Sequence, residues 1–180
     1  MYQFSAEVSK TLQLVIHSLY TNKDIFLREL ISNSSDACEK LRYLSLSNSD
    51  FAILVSNLGI SIEVKKDLGV IVVKDNGIGM SKQEMIDNLG TIAKSGTEEF
   101  AKNTQDTSSN NINDLIGKFG VGFYSAFMVA KHIEVKSKKA GENVAHLWSS
   151  DGMSGFDVSE LTDNMEHGTE ISIYLKDEEK

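Results

Sequence analysis

The part of the chain that most limits its fold is the C-terminal run from 132 to 176. HIEVKSK (132–138), NVAHLWSS (143–150), GFDVSEL (155–161) and GTEISIYLK (168–176) alternate apolar and polar residues with the period of a strand. The turn-rich clusters AGE, DGMSG and NMEHG separate them, so the region reads as a meander of antiparallel neighbours. Further upstream, ISIEVKK (60–66) and GVIVVK (69–74) are joined through Asp67, Leu68 and Gly69 and read as an antiparallel hairpin. So much period-two sequence requires a sheet, and the sheet requires a cover for its apolar face.

Helical patterns earlier in the chain supply that cover. Val8, Leu12, Val15, Ile16 and Leu19 recur at helical spacing over 8–20. TNKD at 21–24 is a polar turn, and a longer helix follows over about 24–46. Shorter helices are expected at about 81–88 and near 121–130 (VGFYSAFMVA). The polar stretch KNTQDTSSNNIN (102–113) cannot form a packed core and reads as a mobile loop. Helices early and strands late give an α+β expectation: a two-layer sandwich whose antiparallel-rich, mixed sheet is covered on one face by helices. A length of 180 residues suits a single compact domain.

Composition removes several functional classes. A net charge of −8 argues against general binding to a phosphate backbone. Cys38, the single cysteine, excludes an intramolecular disulfide and fits a reducing compartment. No segment approaches the roughly 20 apolar residues of a membrane span. MYQFSAEVSK lacks the charged-then-apolar pattern of a signal peptide, so the expected compartment is the cytoplasm. Proline is absent and the arginines are Arg28 and Arg42; an A/T-rich genome would produce both shortages. His17, His132, His146 and His167 are scattered and suggest no ligand set, Cys38 reads as a small buried hydrophobe, and Trp148 reads as core.

The chemistry concentrates in short motifs. On the long helix, Asn33 lies about 40° from Glu29 and Asp36 about 20° to its other side, so the three share one narrow stripe. Apolar residues occupy most other directions, including Ile25, Phe26, Leu30, Ile31 and Leu41. A solvated face would look the same, but buried carboxylates and an amide would need a polar ligand or a hard cation. Asp75-Asn76-Gly77-Ile78-Gly79-Met80 follows the second hairpin strand, where glycines let backbone pass close to a flat ligand; it also has the composition of an ordinary turn. Gly117-Lys118-Phe119-Gly120-Val121-Gly122-Phe123 opens a helix and exposes amides to an anion, or serves packing alone. Neither a Walker A loop nor a Rossmann glycine turn is present.

In this order ELISNSSDA (29–37), DNGIGM (75–80), GKFGVGFYS (117–125) and GTE (168–170) resemble the four boxes of the Bergerat-fold, or GHKL, ATPases: gyrase, heat-shock chaperone, histidine kinase and MutL. FSAEVSKTLQLVIHSLYTNKDIFLRELISNSSDA, DNLGTIAKSGT (87–97) and GKFGVGFYSAFMVA resemble more closely the N-terminal nucleotide-binding domain of the 90-kilodalton heat-shock chaperone family, in its bacterial HtpG form. The resemblance runs from Phe4 to about Asp177 and weakens at 46–59 and 102–113.

That resemblance implies a Mg²⁺-dependent ATPase that binds ATP and ADP. It makes Glu29 the general base for the attacking water and gives the amide oxygen of Asn33 to Mg²⁺. Asp75 accepts from the adenine amino group, with Thr169 supporting the base through water. Asp36, Ala37, Ile78 and Gly79 line the same region. Met80, Leu89 and Phe123 form apolar wall, and Asn88 reaches toward sugar and phosphates. Lys94 and the amides of Gly120, Val121 and Gly122 hold phosphate, while Arg28 sits beside the base. The segment 90–122 becomes a lid over ATP, with Gly90, Gly96, Gly117, Gly120 and Gly122 as hinges. Residues 2–7 become a strand that exchanges between protomers. The expected partners are nucleotide, client proteins and other chaperones in a full-length homodimer serving protein folding and stress response, with no nucleic acid and no membrane. The family's middle and C-terminal domains are expected to be absent, leaving a monomer that lacks their phosphate-sensing arginine and turns over slowly. The alternatives are a DNA-processing ATPase of gyrase B or MutL type, a histidine-kinase catalytic domain, and a purely structural α+β domain.

Overall fold

The computed structural model describes Tyr2 and residues 23–90, 122–162 and 164–180. The expected helix at 8–20, the polar loop at 102–113 and most of the lid segment lie outside the described residues.

Helix α1 (Ile25–Ser45) follows the turn at Lys23 and Asp24. Ile25, Phe26, Leu30, Ser34, Cys38 and Leu41 are its buried residues, a stripe at helical spacing that faces the sheet. Leu27, Ile31 and Ala37 are half-buried, and Asn33 and Asp36 are exposed. The helix is therefore buried along one face, narrower than its apolar content suggested. Short α2 (Ser49–Ala52) is capped by Asn48, whose side chain accepts from the Asp50 N–H at 3.0 Å. Helix α3 (Lys82–Gly90) opens on a capping box. The Glu84 carboxylate accepts from the Ser81 N–H at 2.8 Å, and the Ser81 hydroxyl accepts from the Glu84 N–H at 3.3 Å.

Strands β1 (Ile60–Lys65), β2 (Val70–Asp75), β3 (Ala130–Lys138), β4 (Ala145–Ser150), β5 (Phe156–Leu161) and β6 (Gly168–Leu175) form one sheet in the order β1-β2-β6-β3-β4-β5. Every pairing among these strands is antiparallel, so the mixed character expected of the sheet is not found among them. The meander holds for β3, β4 and β5 and then breaks: β6 lies between β2 and β3 instead of beside β5. Burial explains the choice. Ile173 of β6 is fully buried and suits the sheet centre, whereas Ser159 and Glu160 of β5 are exposed and suit an edge. At the β5 edge Tyr2 forms a bridge to Phe156, with its ring stacked at 5.1 Å.

The expected helix at 121–130 is a 3₁₀ segment over Gly122–Met128, and Ala130 already belongs to β3. All its residues are buried, so the run has no polar face and no period of its own to favour an α-helix. It packs on α1. Its aromatics join Trp148, with Phe123 edge-on at 5.5 Å, and Phe156 stacks on Trp148 at 5.9 Å. Leu30, Met85, Ile133 and Ile173 fill the same core; full burial of such a side chain contributes roughly 1.5–3 kcal/mol. A smaller cluster of Leu41, Ile78 and Ala140, flanked by Phe51 and Leu54, closes the other end of α1. No helix among the described residues is long and apolar enough to cross a membrane.

Candidate functional site

Between α1 and the sheet lies a cavity of about 680 Å³. Its position follows from the helix stripe. The residues of α1 that cannot be buried against apolar strands (Glu29, Asn33 and Asp36) line one wall with Ala37. Asp75, Thr169, Val135 and Ile171 form the floor from three adjacent strands. Ile78, Gly79 and Met80 with Asn88 and Leu89 of α3 make the far wall, and Gly122 and Phe123 close one end. Lys94, Gly120 and Val121 lie outside the described residues. Every other residue named for the site from the sequence lines this one cavity.

The floor is built from hydrogen bonds. Asp75 is 4% exposed, and its Oδ1 accepts from the Gly77 N–H at 2.9 Å. Burial pushes its carboxyl pKa above the usual range, opposed by the Gly77 N–H, the Ser34 hydroxyl, the Thr169 N–H and the nearby His167. Thr169 pairs directly across from Asp75, because β6 lies beside β2. The following loop is tied to α1: the Ile78 N–H donates to the Ala37 carbonyl at 3.1 Å. Gly79 has φ +66°, and a Cβ there would stand 2.0 Å from the Lys138 carbonyl oxygen, so no side chain fits. Behind the loop, His167 Nδ1 lies 2.9 Å from the Gly77 carbonyl oxygen.

The α1 wall is different in kind. Glu29 is half-buried, and Asn33 and Asp36 are open to the cavity. Burial raises the Glu29 pKa, and the adjacent Arg28 guanidinium works against the rise. A Cβ on Gly122 would lie 2.3 Å from Glu29 Oε2. The missing side chain at Gly122 is thus what leaves room for this carboxylate. The wall presents carboxylate and amide oxygens, the donor chemistry of a hard cation such as Mg²⁺ rather than of a soft metal.

Residues 20–176 match the family described as histidine kinase-, DNA gyrase B- and HSP90-like ATPase. The chain belongs to this ATPase family. It is 55% identical over 177 residues to the chaperone protein HtpG of Rickettsia rickettsii (strain Sheila Smith), covering 98% of this chain and 28% of that protein. To the chaperone protein HtpG of Ehrlichia ruminantium (strain Gardel) it is 57% identical over 180 residues, again covering 98% and 28%. The same protein of Rickettsia prowazekii (strain Madrid E) is 55% identical over 177 residues, with the same coverage. The chain spans 28% of the length of these relatives, and its likeness to them is to the chaperone branch rather than to a DNA-processing relative. Membership of this ATPase family implies that the chain binds nucleotide.

Sequence reasoning missed several residues of this cavity. Lys40 continues the stripe of Glu29, Asn33 and Asp36 by one more turn, and carrying the helical spacing forward would have found it. Ile171 follows Thr169 by two residues on the same strand face, a signal the period-two pattern already contained. Glu84 and Asp87 line the α3 side; Glu84 is held by Lys139 at 2.7 Å. Burial pushes the Glu84 pKa up, but the bonds from Lys139 and Ser81 outweigh it and hold the group below its usual value. Val135 depends on strand order, for which no local signal exists.

Proposed function

We propose that the chain is the ATP-binding and slowly ATP-hydrolysing domain of a molecular chaperone, in which nucleotide state drives a dimeric clamp on client proteins in the cytoplasm. The observation that carries the reading is the presence of a buried acceptor and an open carboxylate-amide wall in one cavity. Asp75 lies at the floor, and Glu29 and Asn33 line the α1 wall of the same cavity.

Asp75 accepts a hydrogen bond from the exocyclic amino group of adenine, and Thr169 holds the base from the neighbouring strand. Phe123, Met80, Leu89, Ile171 and Val135 supply apolar surface, and Ala37, Ile78 and Gly79 let the flat base lie close to backbone. Asn88 and Asp36 face the sugar and phosphates. Glu29 takes the proton of the attacking water; its raised pKa brings it nearer to neutral pH, where a base accepts protons more readily. Mg²⁺ carried by the phosphates would be held by the Asn33 amide oxygen, where it would neutralise developing charge. Lys94 and the amides of Gly120, Val121 and Gly122 complete the phosphate contacts.

Turnover is slow in this chain because the cavity lining among the described residues holds Lys40 and no arginine. A transition-state arginine contributes on the order of 10³-fold or more in phosphoryl transfer. Phosphate release by this chain, compared with a full-length relative, tests the point: equal rates would overturn it. The nucleotide reading is tested by calorimetric titration with ADP, with and without Mg²⁺. Saturable binding that Asp75→Asn weakens by roughly 10- to 150-fold is expected. Unchanged binding by that variant would overturn the assignment of the floor.

A further inference from the structure

We infer that Ser137 is a positioning residue that sets the hydrogen-bond polarity of Thr169, and through it the preference of the cavity for a 6-amino over a 6-oxo purine. This rests on the reading that an adenine nucleotide occupies the cavity.

Ser137 is fully buried on β3, directly across from Thr169 on β6. Its Oγ has three neighbours. The Met80 N–H donates to it at 2.9 Å, it donates to the Gly168 carbonyl at 3.0 Å, and Thr169 Oγ1 lies 3.0 Å away. A hydroxyl has one proton and two acceptor lone pairs. The Gly168 carbonyl can only accept, so it takes the single proton of Ser137. The Met80 N–H can only donate, so it takes one lone pair. The remaining lone pair can meet Thr169 only as an acceptor, which makes Thr169 the donor of that contact. With its own proton directed at Ser137, Thr169 offers the cavity lone pairs alone.

The floor therefore presents two acceptors side by side, the Asp75 carboxylate and the Thr169 oxygen. Donors are welcome there: an exocyclic amino group, or a water that donates to Thr169. A ring carbonyl at the same position meets lone pairs and finds no proton. Removing the Ser137 hydroxyl frees the Thr169 proton to turn into the cavity, where it can serve a carbonyl. Met80 and Gly168 also lose their partner in such a variant, so fold stability alone cannot report this role.

Calorimetric titration of the chain with ADP and with inosine diphosphate, which carries a carbonyl in place of the amino group, reads it directly. The wild-type chain is expected to prefer ADP. Ser137→Ala is expected to narrow that preference by roughly fivefold, the worth of one ordinary hydrogen bond, and Ser137→Thr to restore it. Thr169→Val and the double variant Ser137→Ala/Thr169→Val are expected to share one preference, since Ser137 acts through the Thr169 hydroxyl. Where Ser137→Ala does not fold, Ser137→Cys keeps the volume with a weakly bonding thiol and is expected to narrow the preference likewise. A folded Ser137→Ala or Ser137→Cys chain with the wild-type preference overturns the inference, even if its melting temperature falls. So does a double variant whose preference differs from that of Thr169→Val. A wild-type chain that binds no ADP overturns the nucleotide reading and this inference with it.

Discussion

The floor and the α1 wall line one cavity, yet they are built on opposite principles. On the floor, Asp75 and Thr169 are buried, and each is held by neighbours from other strands, the following loop or the buried face of α1. On the wall, Asn33 and Asp36 are exposed and Glu29 is only half-buried. Recognition of a fixed flat base benefits from groups whose partners are set before the ligand arrives, because no ordering cost remains. Chemistry on a charged, hydrated group needs water and counter-charge nearby, which an open wall admits. Under the proposed function, the division places specificity on the sheet and reactivity on the helix.

The comparison is broken most sharply at its reactive side. Glu29→Gln keeps the size of the side chain and removes the proposed base, so the rate of phosphate release is expected to fall by roughly 10²–10⁴-fold. ADP affinity by calorimetry should stay within about twofold, since the wall does not read the base. A parallel loss of affinity would erase the distinction between the two sides. Asp75→Asn makes the reverse break. It replaces a charged acceptor by an amide, and ADP affinity is expected to fall by roughly 10- to 150-fold in the same titration.

Gly122→Ala tests whether backbone alone places the base. Its methyl group would meet Glu29 Oε2, so the carboxylate must move. Phosphate release is expected to fall roughly tenfold while ADP affinity changes little, because misplacing a reacting group by about 1 Å costs up to 10²-fold. The smallest effect is a shift in pH dependence. Burial raises the Glu29 pKa, and only the ionised form accepts a proton. The rate should therefore rise with pH through an inflection above the usual carboxylate value and then level off. Arg28→Ala removes the opposing charge and should move that inflection to higher pH in a phosphate-release profile.

Much of this molecule was legible without coordinates, in proportion to how local its cause was. The stripe of Glu29, Asn33 and Asp36 follows from 3.6 residues per turn and holds wherever the helix forms. The β1–β2 hairpin follows from alternation and from the turn at Gly69, whose φ of 62° suits glycine. The segment from Gly122 was misread as an α-helix because a run buried on every side carries no period, and packing on α1 decides its winding. Ser137 was invisible for a related reason: its partners Met80, Gly168 and Thr169 are distant in sequence, and only register brings them to one hydroxyl.

By itself, then, the sequence determined which residues share a helix face, where strands begin and turn, and which short motifs carry acceptors and glycines. These depend on backbone periods and on the conformational limits of single residues. Only the tertiary structure decided that β6 enters between β2 and β3, beyond the reach of any turn signal. That choice is made by burial summed over the whole sheet, which places fully buried Ile173 at the centre and leaves β1 and β5 at the edges. It puts Thr169 beside Asp75 and Ser137 beside Thr169, and so turns a motif and two strands into a floor with a defined polarity.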